Sequence, residues 1–169
     1  MKSHNKHIIF GSKIHYTPTD DKSAREFLGW KYEPPYEVYN YTPENFEKDL
    51  AYHIDPANNL YSMYREGELI GYCSFGRDAQ VPGGDYSEEA LDIGLMIKPK
   101  LTGRGLGSEH VNDVIQYAIT KYKPSKLRVT ILGTNQRAMR VWEKNGFTKP
   151  RSFESEKDQL GFVILTRNL

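Results

Sequence analysis

Cysteine is nearly absent: the chain carries Cys73 alone. One thiol cannot build an internal disulfide framework or a cysteine-cluster zinc site. It sits in the apolar run Leu69-Ile70-Gly71-Tyr72-Cys73-Ser74-Phe75 and reads as a packed thiol rather than a nucleophile. No His or Cys spacing suggests a metal site. An excess of one charge is also missing. Lys and Arg number 23 against 22 Asp and Glu, a net charge of +1, so no global field recommends nucleic acid as a partner. No apolar run approaches a membrane span, and Ile8-Ile9-Phe10 is too short a core for a signal peptide. The expected setting is the cytoplasm. Repeats, low-complexity tracts and linkers are missing too. The chain has 169 residues, 38% of them hydrophobic, enough for one buried core. Residues 1–12 read as a leader, with an extra strand at His7 to Phe10 as one option, and residues 13–169 as a single domain.

What the chain does have is a strand, a glycine-rich turn and an amphipathic helix in direct succession: DIGLMIKPKLTGRGLGSEHVNDVIQYAITKY, Asp92 to Tyr122. Leu91 to Ile97 reads as a strand that Pro99 stops. Gly103, Arg104, Gly105, Leu106 and Gly107 follow. Val111, Val114, Ile115, Ala118, Ile119 and Tyr122 then fall at steps of three and four, one apolar stripe on a helix starting at Ser108. The first N–H groups of a helix lack internal partners and point out of its positive end. With side-chain-free glycines before them, a phosphate or pyrophosphate is the natural guest. The P-loop fingerprint does not fit, because Ser108-Glu109 stands where Lys-Ser or Lys-Thr is needed. The dinucleotide fingerprint needs other glycine spacing near the first strand.

These residues resemble the acetyl-coenzyme A motif of the GNAT N-acetyltransferases. Ile97-Lys98-Pro99 resembles the end of that family's fourth strand, and Thr102-Gly103-Arg104-Gly105-Leu106-Gly107 its pyrophosphate loop, with Thr102 in place of the usual Gln or Arg. A second stretch, Asn135 to Phe147, is similar to the family's downstream pattern N-x-x-A-x-x-x-Y-x-x-x-G-F. The resemblance implies direct transfer of an acetyl group from acetyl-coenzyme A to a primary amine on a small molecule or peptide. It implies a cofactor site made of Leu95, Met96, Ile97, Thr102 to Ser108, Asn135, Ala138 and Trp142. A strand bulge near Leu95 and Met96 would present the N–H groups that polarise the carbonyl. Trp142 departs from the family's Tyr. Indole N–H donates a hydrogen bond but is no useful acid, so water, another tyrosine, or an acyl-coenzyme A sensor or scaffold with little turnover all stay open.

The rest of the chain reads as a strand at Lys13 to Tyr16, a helix capped by Thr19 or Asp20, an aromatic loop Tyr32 to Tyr41, and a helix after Thr42-Pro43. A hairpin turning at Gly67 precedes the central motif. A strand at Lys126 to Leu132, a helix from Asn135 and a final hairpin follow it. This order suits an α/β mixed sheet of six to seven strands flanked by about four helices, as the resemblance also implies, with fourth and fifth strands splayed around the cofactor.

An alkyl ammonium has a pKa of about 10.4, so a base or water chain must take its proton. Asp92 is the first candidate, with Glu88 and Glu89 behind it, and the alternative for Asp92 is a purely structural carboxylate. The position of a glutamate in some peptide-directed relatives is Thr130 here. His53 and His110 are lone histidines, more often structural than catalytic, and His110 falls off the apolar stripe. In the resembled fold the Tyr32 to Tyr41 loop lines the acceptor pocket. Tyr36, Glu37 and Tyr39 would hold a cationic amine, and Asp85 and Glu88 would add to the negative field. The layout is loosely similar to aminoglycoside 6′-acetyltransferases. A homodimer stays open.

Overall fold

The computed structural model describes residues 13–169. The strand suggested at His7 to Phe10 lies outside them. Seven strands form one sheet in the order β1-β2-β3-β4-β5-β7-β6. Chain order is β1 (His15–Pro18), α1 (Asp21–Leu28), α2 (Phe46–Ile54), β2 (Leu60–Arg65), β3 (Glu68–Phe75) and β4 (Leu91–Ile97). Then come α3 (Gly107–Tyr122), β5 (Lys126–Leu132), α4 (Gln136–Lys144), β6 (Thr148–Glu154) and β7 (Gly161–Asn168). Among the described residues no helix is long and apolar enough to cross a membrane.

Local chemistry sets the boundaries. Asp20, rather than Thr19, caps α1: its carboxylate accepts the Ser23 N–H at 2.8 Å, and the Ser23 hydroxyl accepts the Asp20 N–H at 3.2 Å. That reciprocal pair satisfies donors the helix start would otherwise leave bare. Pro43 opens a short 3-10 turn that leads into α2. Asn135 caps α4 by accepting the Ala138 N–H at 3.0 Å, and Gly146 takes φ 88° just past its end.

The sheet carries a core on each face. On one side α3 and α4 pack Val111, Val114, Ile115 and Trp142 against Cys73, Phe75, Ile93 and Val129. On the other, α1 and α2 pack Phe27, Leu28 and Leu50 against Leu69 and Tyr72. Cys73 is fully buried and burial pushes its thiol up, which suits a packed thiol.

A bulge decides which β3 side chain reaches which face. Met63 pairs with Gly71 and Tyr64 with Leu69, so Ile70 is the extra residue. The irregularity expected near Leu95 and Met96 is therefore one strand over; β4 runs against β3 in unbroken register from Ile97/Gly71 to Ile93/Phe75.

β4 and β5 are parallel neighbours for only two rungs, Leu91/Leu127 and Asp92/Arg128. Beyond them the strands part. At the last rung the Arg128 guanidinium grips the Asp92 carboxylate with two bonds of 2.7 Å each, and its remaining nitrogen donates to the Glu88 carbonyl at 2.8 Å. Gln80 donates to the same carboxylate at 2.9 Å, and the Tyr86 ring lies 4.9 Å from the guanidinium carbon. Both charged side chains are almost wholly buried. Removing one partner of such a pair leaves an uncompensated charge and costs about 3–5 kcal/mol. Urea unfolding of Arg128→Met should show a loss of that size, and Asp92→Leu/Arg128→Met should recover most of it. Fully additive losses would show that the pair does not act as a unit.

Candidate active site

The parting of β4 from β5 opens a cleft of about 800 Å³. Its walls are Ile93 to Ile97 of β4 and Val129 to Leu132 of β5; its ends are the Leu101 to Ser108 loop and the tyrosines after α1.

The β4 edge supplies main-chain groups. Gly76 N–H bonds to Asp92 C=O, and Lys98 N–H to Ile70 C=O. Antiparallel pairing alternates, so Asp92, Gly94, Met96 and Lys98 present their main chain to β3, while Leu95 and Ile97 present theirs to the gap. The Tyr32 hydroxyl donates to the Ile97 carbonyl at 2.7 Å, as that phase requires. Leu95 thus turns its main-chain N–H into the gap. Met96, expected with Leu95 to polarise the carbonyl, turns its main chain to β3, because no bulge reverses the phase; its side chain lines the cleft.

The glycine-rich loop supplies the second set of donors. Gly103 and Gly105 have φ 71° and 74°, a left-handed conformation that costs other residues about 1–2 kcal/mol. Leu106 precedes α3 with no side-chain cap. The first α3 bond runs from His110 N–H to Leu106 C=O at 3.1 Å, so the donors of Gly107, Ser108 and Glu109 precede the helical ladder. A Cβ on Gly107 would lie 3.2 Å from a Val141 methyl; glycine lets α3 and α4 approach here. Arg137 of α4 reaches this end, with a guanidinium nitrogen 3.5 Å from where a Cβ on Gly103 would lie; Lys144 also lines the cleft.

Of the residues singled out from sequence, Leu95, Met96, Ile97, Thr102, Gly103, Gly105, Gly107, Ser108, Asn135, Ala138, Trp142, Tyr36 and Tyr39 line the cleft. Arg104 and Leu106 are exposed and outside this lining. The Thr102 hydroxyl is turned to the Pro99 carbonyl at 2.7 Å. Asn145 donates to the Ser108 hydroxyl at 3.1 Å. Asn135 also donates to the Tyr39 hydroxyl at 3.0 Å, tying the aromatic loop to α4. Trp142 is buried, edge-on to Phe147. Thr130 bonds the Tyr86 hydroxyl at 2.9 Å.

The expected acidic field is elsewhere. Glu37 starts a 3-10 turn ending at Tyr39; three residues per turn align Tyr36 with Tyr39 and leave Glu37 outside the lining. Asp85 accepts the Ser87 N–H and hydroxyl and lies 3.8 Å from Arg151. Glu88 pairs with Lys126. Asp92 is held by Arg128 and Gln80, outside the lining, and does not face the cleft as a base must. The carboxylates in the lining are Asp49 and Asp78, which sequence patterning did not mark.

His110 is buried at 2% exposure, not on an open helix face; this first turn of α3 faces the cleft. Sequence patterning also missed a chain of polar rings. His53 Nδ1 lies 2.6 Å from the Asp49 carbonyl, its Nε2 lies 2.9 Å from the Tyr41 hydroxyl, and that hydroxyl lies 3.0 Å from the Tyr72 hydroxyl. The bond to residue 49 is to its main-chain carbonyl, so the identity of that residue gave no signal for it. Among the described residues no group of three or more His, Cys, Asp or Glu is placed to hold a metal.

A glycine-rich helix start, a parted sheet edge and an aromatic chamber line one continuous cleft. Residues 14–148 match the acetyltransferase (GNAT) domain, and the chain belongs to that family. The acetyltransferase PseH of Campylobacter jejuni (serotype O:23/36, strain 81-176) is 22% identical over 148 residues, 85% of this chain and 86% of that protein. The spermine/spermidine N(1)-acetyltransferase of Bacillus subtilis (strain 168) is 24% identical over 107 residues, 63% and 68% of the two chains. The solved structure of AAC(6′)-Ib with ribostamycin and coenzyme A shares the fold at a TM-score of 0.73 and 15% identity, covering 93% of this chain and 94% of that one. The chain is thus a GNAT N-acetyltransferase, and acetyl-coenzyme A is the acyl donor of that family.

Two measurements test this geometry. Gly105→Val should weaken coenzyme A binding about tenfold by calorimetry, since 1–2 kcal/mol of left-handed strain corresponds to roughly that factor; unchanged affinity would remove the loop from the site. Burial, with Arg65 nearby, holds the His110 imidazole below its ordinary range. The folded state therefore takes up the proton less readily than the unfolded. That stability is full above about pH 6.5 and is lost as the pH falls below it, at up to about 1.4 kcal/mol per pH unit. Thermal melts from pH 7.5 to 5.5 should fall less in His110→Gln than in wild type.

Proposed function

We propose that the chain transfers acetyl directly from acetyl-coenzyme A to a primary amine of a small molecule or peptide, in the cytoplasm, where free thiols and the donor coexist. Main-chain N–H groups from Gly103 to Ser108 hold the diphosphate, and Arg137 and Lys144 add positive charge. The gap between β4 and β5, with Asn135 and Ala138 beside it, would take the pantetheine arm. The Leu95 N–H, directed into the gap, donates to the carbonyl oxygen as negative charge grows on it; such a donor contributes about 2.7–4 kcal/mol in well-studied acyl transfer. The acceptor enters between Tyr36, Tyr39, Tyr41 and Tyr72, where Asp49 and Asp78 replace Asp85, Glu88 and Glu37 as the field that favours an ammonium.

The observation that carries this reading is continuity. One cleft joins the orphan donors of α3, the open edge of β4 and the aromatic chamber. Asp92 is not the base in this scheme; its carboxylate is committed to Arg128. With Trp142 in place of an acid, the sulfur leaves as thiolate or takes its proton from the amine itself. A thiol-release assay with acetyl-coenzyme A and a panel of polyamines, amino sugars and peptide amines should give one thiol per amide formed with at least one acceptor. Tight binding of the donor with no thiol released over any amine would instead make the chain an acyl-coenzyme A sensor or scaffold.

A further inference from the structure

The hydrogen-bonded rings at the acceptor end have a fixed direction. A carbonyl oxygen only accepts, so the 2.6 Å contact with the Asp49 carbonyl requires the hydrogen on Nδ1 of His53. In the neutral ring Nε2 then carries the lone pair. It accepts from the Tyr41 hydroxyl at 2.9 Å. With the Tyr41 hydrogen so used, the 3.0 Å contact between tyrosines can only be Tyr72 donating to Tyr41. The Tyr72 oxygen is left with free lone pairs at the head of the chain, and Tyr72, Tyr41 and His53 all line the cleft. The β3 bulge at Ile70 and the pairing of Tyr72 with Met96 set this side chain on the acceptor face, one residue along from the Leu95 edge of β4.

We infer that Tyr72 is the catalytic residue that takes the proton from the acceptor ammonium, with Tyr41 relaying it to Nε2 of His53. The inference rests on the acetyl-transfer reading above. Three transfers occur in sequence along existing hydrogen bonds. The ammonium N–H breaks as a bond forms to the Tyr72 oxygen, the original Tyr72 hydrogen passes to Tyr41, and the original Tyr41 hydrogen passes to Nε2. The result is a neutral amine, two intact tyrosines and an imidazolium. When the amine nitrogen attacks, the C–N bond forms and the C–S bond breaks. The second N–H proton leaves with the sulfur, so amide, thiol and one imidazolium balance ammonium, thioester and imidazole. The imidazolium proton returns along the same chain once product has left.

The surroundings suit a relay rather than a store of charge on the tyrosines. Burial pushes the Tyr41 hydroxyl up to about 12, against the opposing effect of the Tyr72 donor, and pushes Tyr72 well above its ordinary value. Both rings therefore stay neutral and pass a proton without holding it. Phe27 stacks on Tyr72 at 4.0 Å and meets His53 edge-on at 5.3 Å, fixing both rings. The charged and titratable groups facing His53 are Asp49 on its own helix, Tyr41, Tyr52 and Tyr72, and Asp78, which accepts from Tyr52 at 2.7 Å; Lys48 lines the same end.

The test compares two acceptors: the amine that wild type acetylates fastest and its β,β-difluorinated analogue, assayed at a pH above the analogue's lowered pKa so that its nitrogen is largely unprotonated while the ordinary amine is still an ammonium. Tyr72→Phe removes the head of the chain. His53→Gln keeps an acceptor for Tyr41 but cannot hold a proton. In both variants kcat/KM for the ordinary amine should fall by about 10²-fold or more, and the ratio of fluorinated to ordinary turnover should rise by a similar factor. Equal losses on both acceptors would mark a structural role and overturn the inference, as would no loss on either. A second readout needs no turnover. Nitrogen NMR of the His53 ring should show the hydrogen on Nδ1 and a bare Nε2; the opposite tautomer overturns the relay even if acetyl transfer stands. Absence of thiol release from wild type with any amine would instead sink the acetyl-transfer reading, and the relay with it.

Discussion

The Asp92–Arg128 pair sits where the sheet is weakest and most useful. Parallel pairing is slightly less stable per residue than antiparallel, and here it spans only two rungs. A sheet joined so briefly needs another bond at the joint, or its halves would separate with the cleft. The pair supplies it across the last rung, with a bidentate geometry that leaves little angular freedom. Desolvating two charges is expensive. The cost is offset only because Gln80, the Glu88 carbonyl and the Tyr86 ring take the remaining valences. The same bonds anchor residues 80–88 across the strand ends, which is why that loop's other acids turn to Lys126 and Arg151 rather than to the cleft.

From this clasp the strands diverge, and the sheet divides the chemistry between its faces. β4 has one edge committed to β3 and the other open. The glycine-rich loop leads into α3 beside α4; Tyr41 and Tyr72 pack with α1 and α2. The bulge at Ile70 matters because it changes the phase of β3 between Leu69 and Tyr72. Without it, Leu69 and Tyr72 would fall on opposite faces, and Tyr72 could not serve both the apolar core around Phe27 and the hydroxyl chain to His53.

Much of this was legible because it is local. The apolar runs Leu91 to Ile97 and Lys126 to Leu132 are strands with those same bounds, since Pro99 and Pro124 forbid further pairing beside them. The glycine loop could be read because uncapped helix starts and positive φ have composition signatures. The misses are all long-range. Asp92 looks the same in sequence whether it faces a substrate or Arg128, 36 positions away; two lone charges inside two apolar strands were the available clue. His110 is buried by what covers the first turn of α3, not by its helix period. Tyr72 sits in an apolar run where a tyrosine reads as core, and its partners arrive from a loop and a helix that come earlier in the chain.

Trp142 becomes easier to understand when the two proton problems are compared. At pH 7 an alkyl ammonium with a pKa of about 10.4 costs about 4.6 kcal/mol to neutralise, while a thiol with a pKa of about 8.5 costs only about 2 kcal/mol to release as thiolate. A site can therefore lose its acid more cheaply than its base. An indole at this position fills the core against Phe147 and still walls the cleft, so packing there is kept while a hydroxyl is given up. The larger barrier is the one the proposed Tyr72–Tyr41–His53 chain meets, and it is on that face that the polar side chains are most fully bonded to one another.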